Sequence, residues 1–392
     1  MTTPSRARST PTGWFSEDDV RLADFRAVVE QPTEPDHYPN AEAIEQGVPI
    51  YGRRLQQRAG TPEGRRALQT ELIRVLLDGP GIAVFTGAFA DTMVVDRATE
   101  VFDAIIAEQR AGGVVSGDHF AKPGANDRVW GALDKFAVRD PAAFADYYAN
   151  DVIALVAEAW LGPGYQITSQ VNVVNPGGTA QVAHRDYHLG FMSAEQSRRY
   201  PAPVHRLSPL LTLQGAVAHC DMPVETGPTL YLPRSQQYGP GYLAFHRPEF
   251  TDYCNAHFVQ LSLRKGDAVF FNPALFHGAG TNRTTDVRRM ANLLQISSAF
   301  GRAMESVDRA AMCEALYPVL RAARDQLDPS ALSNIVAASA EGYAFPTNLD
   351  RDQPVDGLAP PTQADLLRLA LAEDWDDLDF YQVLRAQTYR RS

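Results

Sequence analysis

The chain has 392 residues, 45% apolar and 21% charged, with a formal net charge of −11 and a pI near 5.3. That balance is ordinary for a soluble globular protein and gives no sequence-independent attraction to nucleic acid. No apolar run reaches the roughly 18 residues of a membrane-spanning helix, so the expected partner is a small molecule, and the oligomeric state stays open. Cys220, Cys254 and Cys313 are widely spaced and form no C-x-x-C pattern. They make neither a disulfide framework nor a cysteine-rich zinc site, and they fit a cytoplasmic protein.

Residues 1–15 are rich in Ser, Thr and Pro, carry two arginines with no apolar stretch after them, and predict a disordered lead-in rather than a secretory signal. A helix is expected over 16–30, where Ser16 precedes three acidic residues at the positive helix end. Pro62 after Thr61, with Leu68, Leu72, Val75 and Leu76 on one face, predicts a helix over 62–77. Asp78-Gly79-Pro80-Gly81 ends it, and Ile82–Phe85 reads as a short buried strand. A long helix runs from about Asp91 to residue 110, and another over 141–161.

From Tyr165 the texture becomes strand-like. Segments 165–174, 208–218, 229–232, 258–263, 267–271 and 289–300 are separated by turn clusters such as Asn175-Pro176-Gly177-Gly178. Short strands with few helices between them predict an antiparallel barrel or sandwich. Helical texture returns over 301–392, with an expected break at Pro318, a Pro-rich link over 346–361 and a last helix from Thr362. The expected organisation is one integrated domain: a helical region with core-edge strands over 16–164, a β core over 165–300, and a helical extension.

The chemistry sits in the β region. His184 and Asp186 are two apart, so an extended chain turns both side chains the same way. His277, 91 residues past Asp186, can complete a three-ligand face with open metal positions, the arrangement of non-haem Fe(II) oxygenases. Arg288 follows His277 by eleven residues, and a guanidinium can hold a carboxylate in a fork. Together they read as an iron oxygenase using a 2-oxo acid. A second His-x-Asp, His219-Cys220-Asp221, reads as a strand-end histidine with Asp221 opening a turn.

The stretches AHRD (183–186), ETGPTLYLPRSQ (225–236), KGDAVFFNPALFHGAGTNRTTDVRR (265–289) and, more weakly, DGPGIAVFTGAF (78–89) resemble the phytanoyl-CoA dioxygenase family of Fe(II)/2-oxoglutarate oxygenases. The resemblance covers residues 78 to 300 in general order. It implies a mainly β fold with flanking helices, built on a double-stranded β-helix, the cupin-like jelly roll. It also implies that His184, Asp186 and His277 are the iron ligands and catalytic residues, and that Arg288 clamps the far carboxylate of 2-oxoglutarate. Pattern alone does not choose between Arg288 and Arg289, which face opposite ways on a strand; the family spacing favours Arg288. The implied reaction uses Fe(II), 2-oxoglutarate and O2 to hydroxylate or otherwise oxidise an unactivated C–H bond, releasing succinate and CO2. Related halogenases replace the carboxylate with a small residue, so Asp186 argues against halogenation. Two departures are Ala279, where members often carry Ser, and Pro233-Arg234-Ser235-Gln236, where Pro-Gly-Ser-His is common.

Substrate contacts are expected among His188, His119, Lys122, Arg128, Gln170 and Asn172. His188 shares the direction of Asp186 only if the chain stays extended. His119, Lys122 and Arg128 belong to a polar, aromatic loop of the kind that carries binding residues. Asn272, Asn282, Tyr147, Tyr148 and Trp160 read as turn or core residues. Two other functions compete with the oxygenase: a non-catalytic jelly-roll protein that binds a small molecule, and a cupin-type metal enzyme that does not use 2-oxoglutarate.

Overall fold

The structure, a computed structural model, describes residues 13–113, 125–355 and 357–392. Eleven strands occur among these residues: β1 (Ala43–Glu45), β2 (Val48–Tyr51), β3 (Ile82–Phe85), β4 (Asn126–Val129), β5 (Gln166–Val174), β6 (Thr212–Ala218), β7 (Leu230–Leu232), β8 (Val259–Gln260), β9 (Ala268–Phe271), β10 (Phe276–Gly278) and β11 (Arg289–Ser297). One sheet has the order β1-β2-β3-β9-β6-β11-β5-β4, the other β10-β7-β8. Pairing is antiparallel except between β2 and β3. An antiparallel bridge between His184 and His277 adds the 184 segment to the second sheet beside β10. The two sheets form a double-stranded β-helix around a cavity. Helices account for 46% of the described residues and strands for 15%, so the β core is the smaller part by residue count.

The large sheet has two different faces because strand side chains alternate. On β11, Met290, Leu294 and Ile296 join the main apolar core beneath the helices, while Arg289, Ala291, Leu293 and Gln295 face the cavity. β5 repeats the pattern, with Ile167, Val171 and Val173 in the core and Gln170 and Asn172 in the cavity. On β6, Leu213 and Val217 face the core and Gln214, Ala216 and Ala218 the cavity. The helical layer is therefore a structural requirement: it covers the apolar face of a sheet whose other face is committed to a ligand.

Several boundaries differ from the sequence expectation. Within the lead-in, Trp14 bridges to Pro201 and Phe15 packs edge-on against His205; residues 1–12 lie outside the described residues. The 16–30 segment divides into a single turn, Glu17–Asp19, and a helix, Leu22–Val29. The break falls where the extended Arg21 donates its backbone N–H to Tyr238. The 141–161 segment is two helices, Pro141–Tyr148 and Asp151–Leu161, because Asn150 accepts from the Val152 and Ile153 amides and starts a new helix. The β1–β2 hairpin, turned at Gln46 and Gly47 with positive φ at both, and strand β4 were not expected. The helix over Pro62–Leu77 and strand β3 match the expectation.

Pro318 does not break its helix, which runs from Arg309 to Ala323. A proline there withholds the amide that would meet the Glu314 carbonyl. The Tyr381 hydroxyl, from helix Asp377–Arg391, donates to that carbonyl instead at 3.1 Å. Tyr381→Phe is expected to cost about 1 kcal/mol in urea unfolding. The cost is expected to shrink in a Pro318→Ala background, where a backbone N–H returns. Equal costs in both backgrounds would contradict this account.

Candidate metal centre and cavity

His184 and His277 exchange backbone hydrogen bonds, N–H to O of 3.0 and 3.1 Å, which bring their rings to a centroid separation of 4.5 Å. Each ring is then oriented through its Nδ1, 2.8 Å from a carbonyl two residues earlier: Val182 for His184 and Leu275 for His277. A carbonyl only accepts, so each Nδ1 carries a proton and Nε2 is the ring atom turned into the cavity. Both Nε2 atoms point at Asp186, 3.7 Å from Oδ1 for His184 and 3.3 Å from Oδ2 for His277. One ligand atom from each of the three residues lies within 4.8 Å of the others. Burial acts to raise the Asp186 carboxyl, but the two imidazoles and the Gln214 amide outweigh it and hold the carboxyl well below its usual range. Two imidazole nitrogens and one carboxylate on one face suit a borderline divalent cation such as Fe(II).

The chain bends immediately after Asp186. Tyr187 and His188 have φ of 61° and 42°, positive values that are costly for residues other than glycine. The bend carries His188 away from the cavity to Ser208, with Nδ1 and Oγ 2.9 Å apart. His188 is therefore removed from the substrate candidates by local geometry. Arg185, between the two ligands, points the opposite way and is buried. It donates to the Ser235 and Tyr238 carbonyls at 2.6 and 3.1 Å and lies over the Tyr242 and Phe276 rings. A Cβ on Gly241 would stand 2.0 Å from that guanidinium, so the position needs glycine. Ser235 also accepts from the Phe276 amide at 2.7 Å, joining the segment that carries Asp186 to the one that carries His277. The expected glycine before Ser235 is Arg234, which keeps a positive φ of 69° and donates to the Pro32 carbonyl at 2.7 Å.

The two arginines are exchanged relative to expectation. Arg288 is exposed and pairs with Asp103 at 3.4 Å, on the helix side of the sheet. Arg289 is the first residue of β11 and faces the cavity. The loop before it is held by Asn282, which donates to the Val174 and Val287 carbonyls at 3.1 and 2.9 Å. Burial pulls the Arg289 guanidinium down to about 10, so it stays charged at neutral pH, and its Nη1 has no hydrogen-bond partner. It shares the cavity with Tyr231, the register partner of His277.

The cavity has a volume of about 1060 Å³ and is lined by His184, Asp186 and His277. Arg128, Gln170 and Asn172 line it as expected. Arg128 donates to the Gln170 side-chain oxygen at 2.7 Å and lies over the Trp130 ring. His119 and Lys122 lie outside the described residues. Gln214, Gln295, Tyr231 and Trp130 also line the cavity and were not anticipated. Alternation from Gln170 would have found their neighbours only with the strand pairing in hand. Asn272 holds a turn through the Leu76 carbonyl, and Trp160 donates to the Pro209 and Thr212 carbonyls.

His219 belongs to the core. Its ring nitrogens meet Thr99 at 2.8 Å and Tyr147 at 3.0 Å, and burial pushes it down to about 3. A histidine kept neutral when folded but protonated when unfolded loses stability as pH falls below about 6.5, with a slope of up to about 1.4 kcal/mol per pH unit. The stability advantage of the native chain over His219→Gln is expected to shrink from pH 6.5 towards pH 4 in denaturant titrations. An advantage independent of pH would refute a neutral, buried His219.

A double-stranded β-helix with a two-histidine, one-carboxylate face that could hold a metal ion defines the class as a jelly-roll protein. The family model for phytanoyl-CoA dioxygenase matches residues 77–290, more than half of the chain, and the chain belongs to that family. It is 29% identical over 164 residues to dioxygenase trt7 of Aspergillus terreus, covering 42% of this chain and 47% of the relative. It is 33% identical over 116 residues to dioxygenase cdmD of Talaromyces verruculosus, covering 30% and 34%. The matches thus span about half and a third of these curated relatives. Among solved structures, the epimerase SnoN in complex with Fe3+, alpha ketoglutarate and nogalamycin RO is similar at 20% identity and a TM-score of 0.42, over 61% of this chain and 85% of that one. HygX from Streptomyces hygroscopicus, with nickel and 2-oxoglutarate bound, is similar at 14% identity and a TM-score of 0.39, over 61% and 90%.

His184→Ala and Asp186→Ala are each expected to weaken Fe(II) or Mn(II) binding by at least about 100-fold in anaerobic calorimetry, since each removes one of three ligands. Unchanged affinity in both variants would move the metal elsewhere.

Proposed function

We propose that this protein is an Fe(II)- and 2-oxoglutarate-dependent dioxygenase that oxidises a C–H bond of a small molecule. The observation that carries the reading is the convergence of His184, Asp186 and His277 in a cavity that also holds the buried, partly unpaired Arg289. Membership of the phytanoyl-CoA dioxygenase family and two curated relatives named dioxygenases support it. Iron bound by the three residues would supply the coupling of O2-dependent decarboxylation of 2-oxoglutarate, to succinate and CO2, with oxidation of the substrate.

The protein's own part is positioning. The Val182 and Leu275 carbonyls fix the imidazoles, and the Gln214 amide fixes the carboxylate. Arg289 is the residue we assign to the far carboxylate of 2-oxoglutarate, in place of Arg288. An unpaired N–H on a buried guanidinium is a strong donor to an anion. Phe271, packed edge-on against the His277 ring at 4.8 Å, and Val269 shield the ligands from water. Hydroxylation is the simplest outcome with Asp186 in place. A cytoplasmic setting fits three free cysteines and the lack, among the described residues, of any helix long and apolar enough to cross a membrane.

Protein supplied with Fe(II) in air is expected to convert 2-oxoglutarate to succinate slowly even without its substrate, and Asp186→Ala is expected to stop this. Arg289→Ala is expected to raise the half-saturating 2-oxoglutarate concentration by roughly 10- to 100-fold, the worth of a buried charged hydrogen bond. Arg288→Ala is expected to change it by less than about twofold, as for an exposed ion pair. The reverse order would overturn the assignment of Arg289. No iron-dependent succinate would favour a binding protein or an enzyme that does not use 2-oxoglutarate.

A further inference from the structure

The cavity wall is largely apolar, with contributions from Phe191, Met192, Phe245, Leu293 and Met304. Its polar insertions include a row of side-chain amides. Gln170, Asn172, Gln214 and Gln295 are all at least nine-tenths buried and face the cavity from three adjacent strands, β5, β11 and β6. The side-chain oxygens of Asn172, Gln214 and Gln295 have no hydrogen-bond partner. For Gln214 the orientation is forced. Its amide nitrogen donates to Asp186 Oδ2, and an ionised carboxylate only accepts, so the carbonyl end must turn away from Asp186. Gln295 stands directly across from Gln214 in the β11–β6 register. A buried carbonyl without a donor is costly, and a row of them is a site waiting for hydrogen-bond donors.

The cations of the cavity point the same way. Among the described residues its arginines are Arg128, Arg185 and Arg289. Arg289 is assigned to 2-oxoglutarate, and Arg185 is committed to two backbone carbonyls. Arg128 donates to Gln170, lies over Trp130, and sits in the field of the Glu305 carboxylate, which the Gly131 amide holds at 2.8 Å. The cavity therefore offers unpaired acceptors and apolar surface, with the Arg289 Nη1 assigned to 2-oxoglutarate as an unpaired donor beside them.

Resting on the oxygenase reading, we infer that the molecule oxidised is a neutral, largely apolar alcohol. Its hydroxyl donates to the Gln214–Gln295 amide pair, and that contact sets which C–H bond lies beside the metal ligands. Gln295 is the specificity-determining residue of this contact. Carboxylates and phosphates are disfavoured, because burying an anion against unpaired carbonyl oxygens is repulsive.

The test offers the purified protein matched probes: 2-decalol, 2-decalone and decalin-2-carboxylate, then 3-androstanol and 3-androstanone. Binding is read by tryptophan fluorescence, since Trp130 lines the cavity. Each alcohol is expected to bind at least about tenfold tighter than its ketone or acid, the worth of one satisfied buried hydrogen bond. Gln295→Met is expected to bring the alcohol-to-ketone ratio close to one while ketone affinity changes little, which separates lost recognition from lost folding. Equal binding of alcohol and ketone, preference for the acid, binding of none of the probes, or an unchanged ratio in Gln295→Met would each overturn the inference. Succinate release without any probe reports separately on the oxygenase reading. Alcohol selectivity without succinate release would sink that reading and leave the recognition row standing.

Discussion

Two backbone hydrogen bonds between His184 and His277 are the constraint on which the site depends. They join segments far apart in sequence into one antiparallel bridge, and alternation then places Asp186 beside both imidazoles. The remaining freedom is removed locally. Each ring is bound to a carbonyl of its own strand, and the carboxylate is bound to Gln214 from the opposite sheet. The relative placement of the three side chains is thus set by main-chain pairing.

Arg185 shows how that bridge is anchored. Its neighbours His184 and Asp186 face the cavity, while it passes through the strand into a second apolar cluster and ties itself to the Ser235 segment. Burial of a guanidinium is costly and is offset here by carbonyl acceptors and aromatic faces. The strained backbone at Tyr187 and His188 has the same origin. The chain must leave the sheet at once to let Asp186 face inward, and a non-glycine residue in a positive-φ conformation is held there by its surroundings.

Much of the β core was legible in the sequence because period-two alternation and turn residues are local signals. The His184–Asp186 pair was legible for the same reason, His-x-Asp being a same-face pair by alternation alone. The Arg288–Arg289 register was not, because a one-residue difference on a strand exchanges the two faces and only the strand's start at Arg289 decides it. His188 depended on whether the chain stays extended past Asp186, and the positive φ at Tyr187 and His188 shows that it does not. Gln214 and Gln295 were invisible because their meaning lies in a cross-strand pair, 81 residues apart in sequence, that only the sheet order brings together. Pro318 was misread because its remedy, Tyr381, sits on another helix.

The most direct measurement is an anaerobic titration of the Fe(II)-loaded protein with 2-oxoglutarate, followed in the visible range. A saturable absorption band is expected, formed at one equivalent of iron, weakened in Asp186→Ala and shifted to higher 2-oxoglutarate concentration in Arg289→Ala but not in Arg288→Ala. A folded, iron-loaded protein that develops no band with 2-oxoglutarate would contradict the claim that these three residues hold a metal open to a 2-oxo acid.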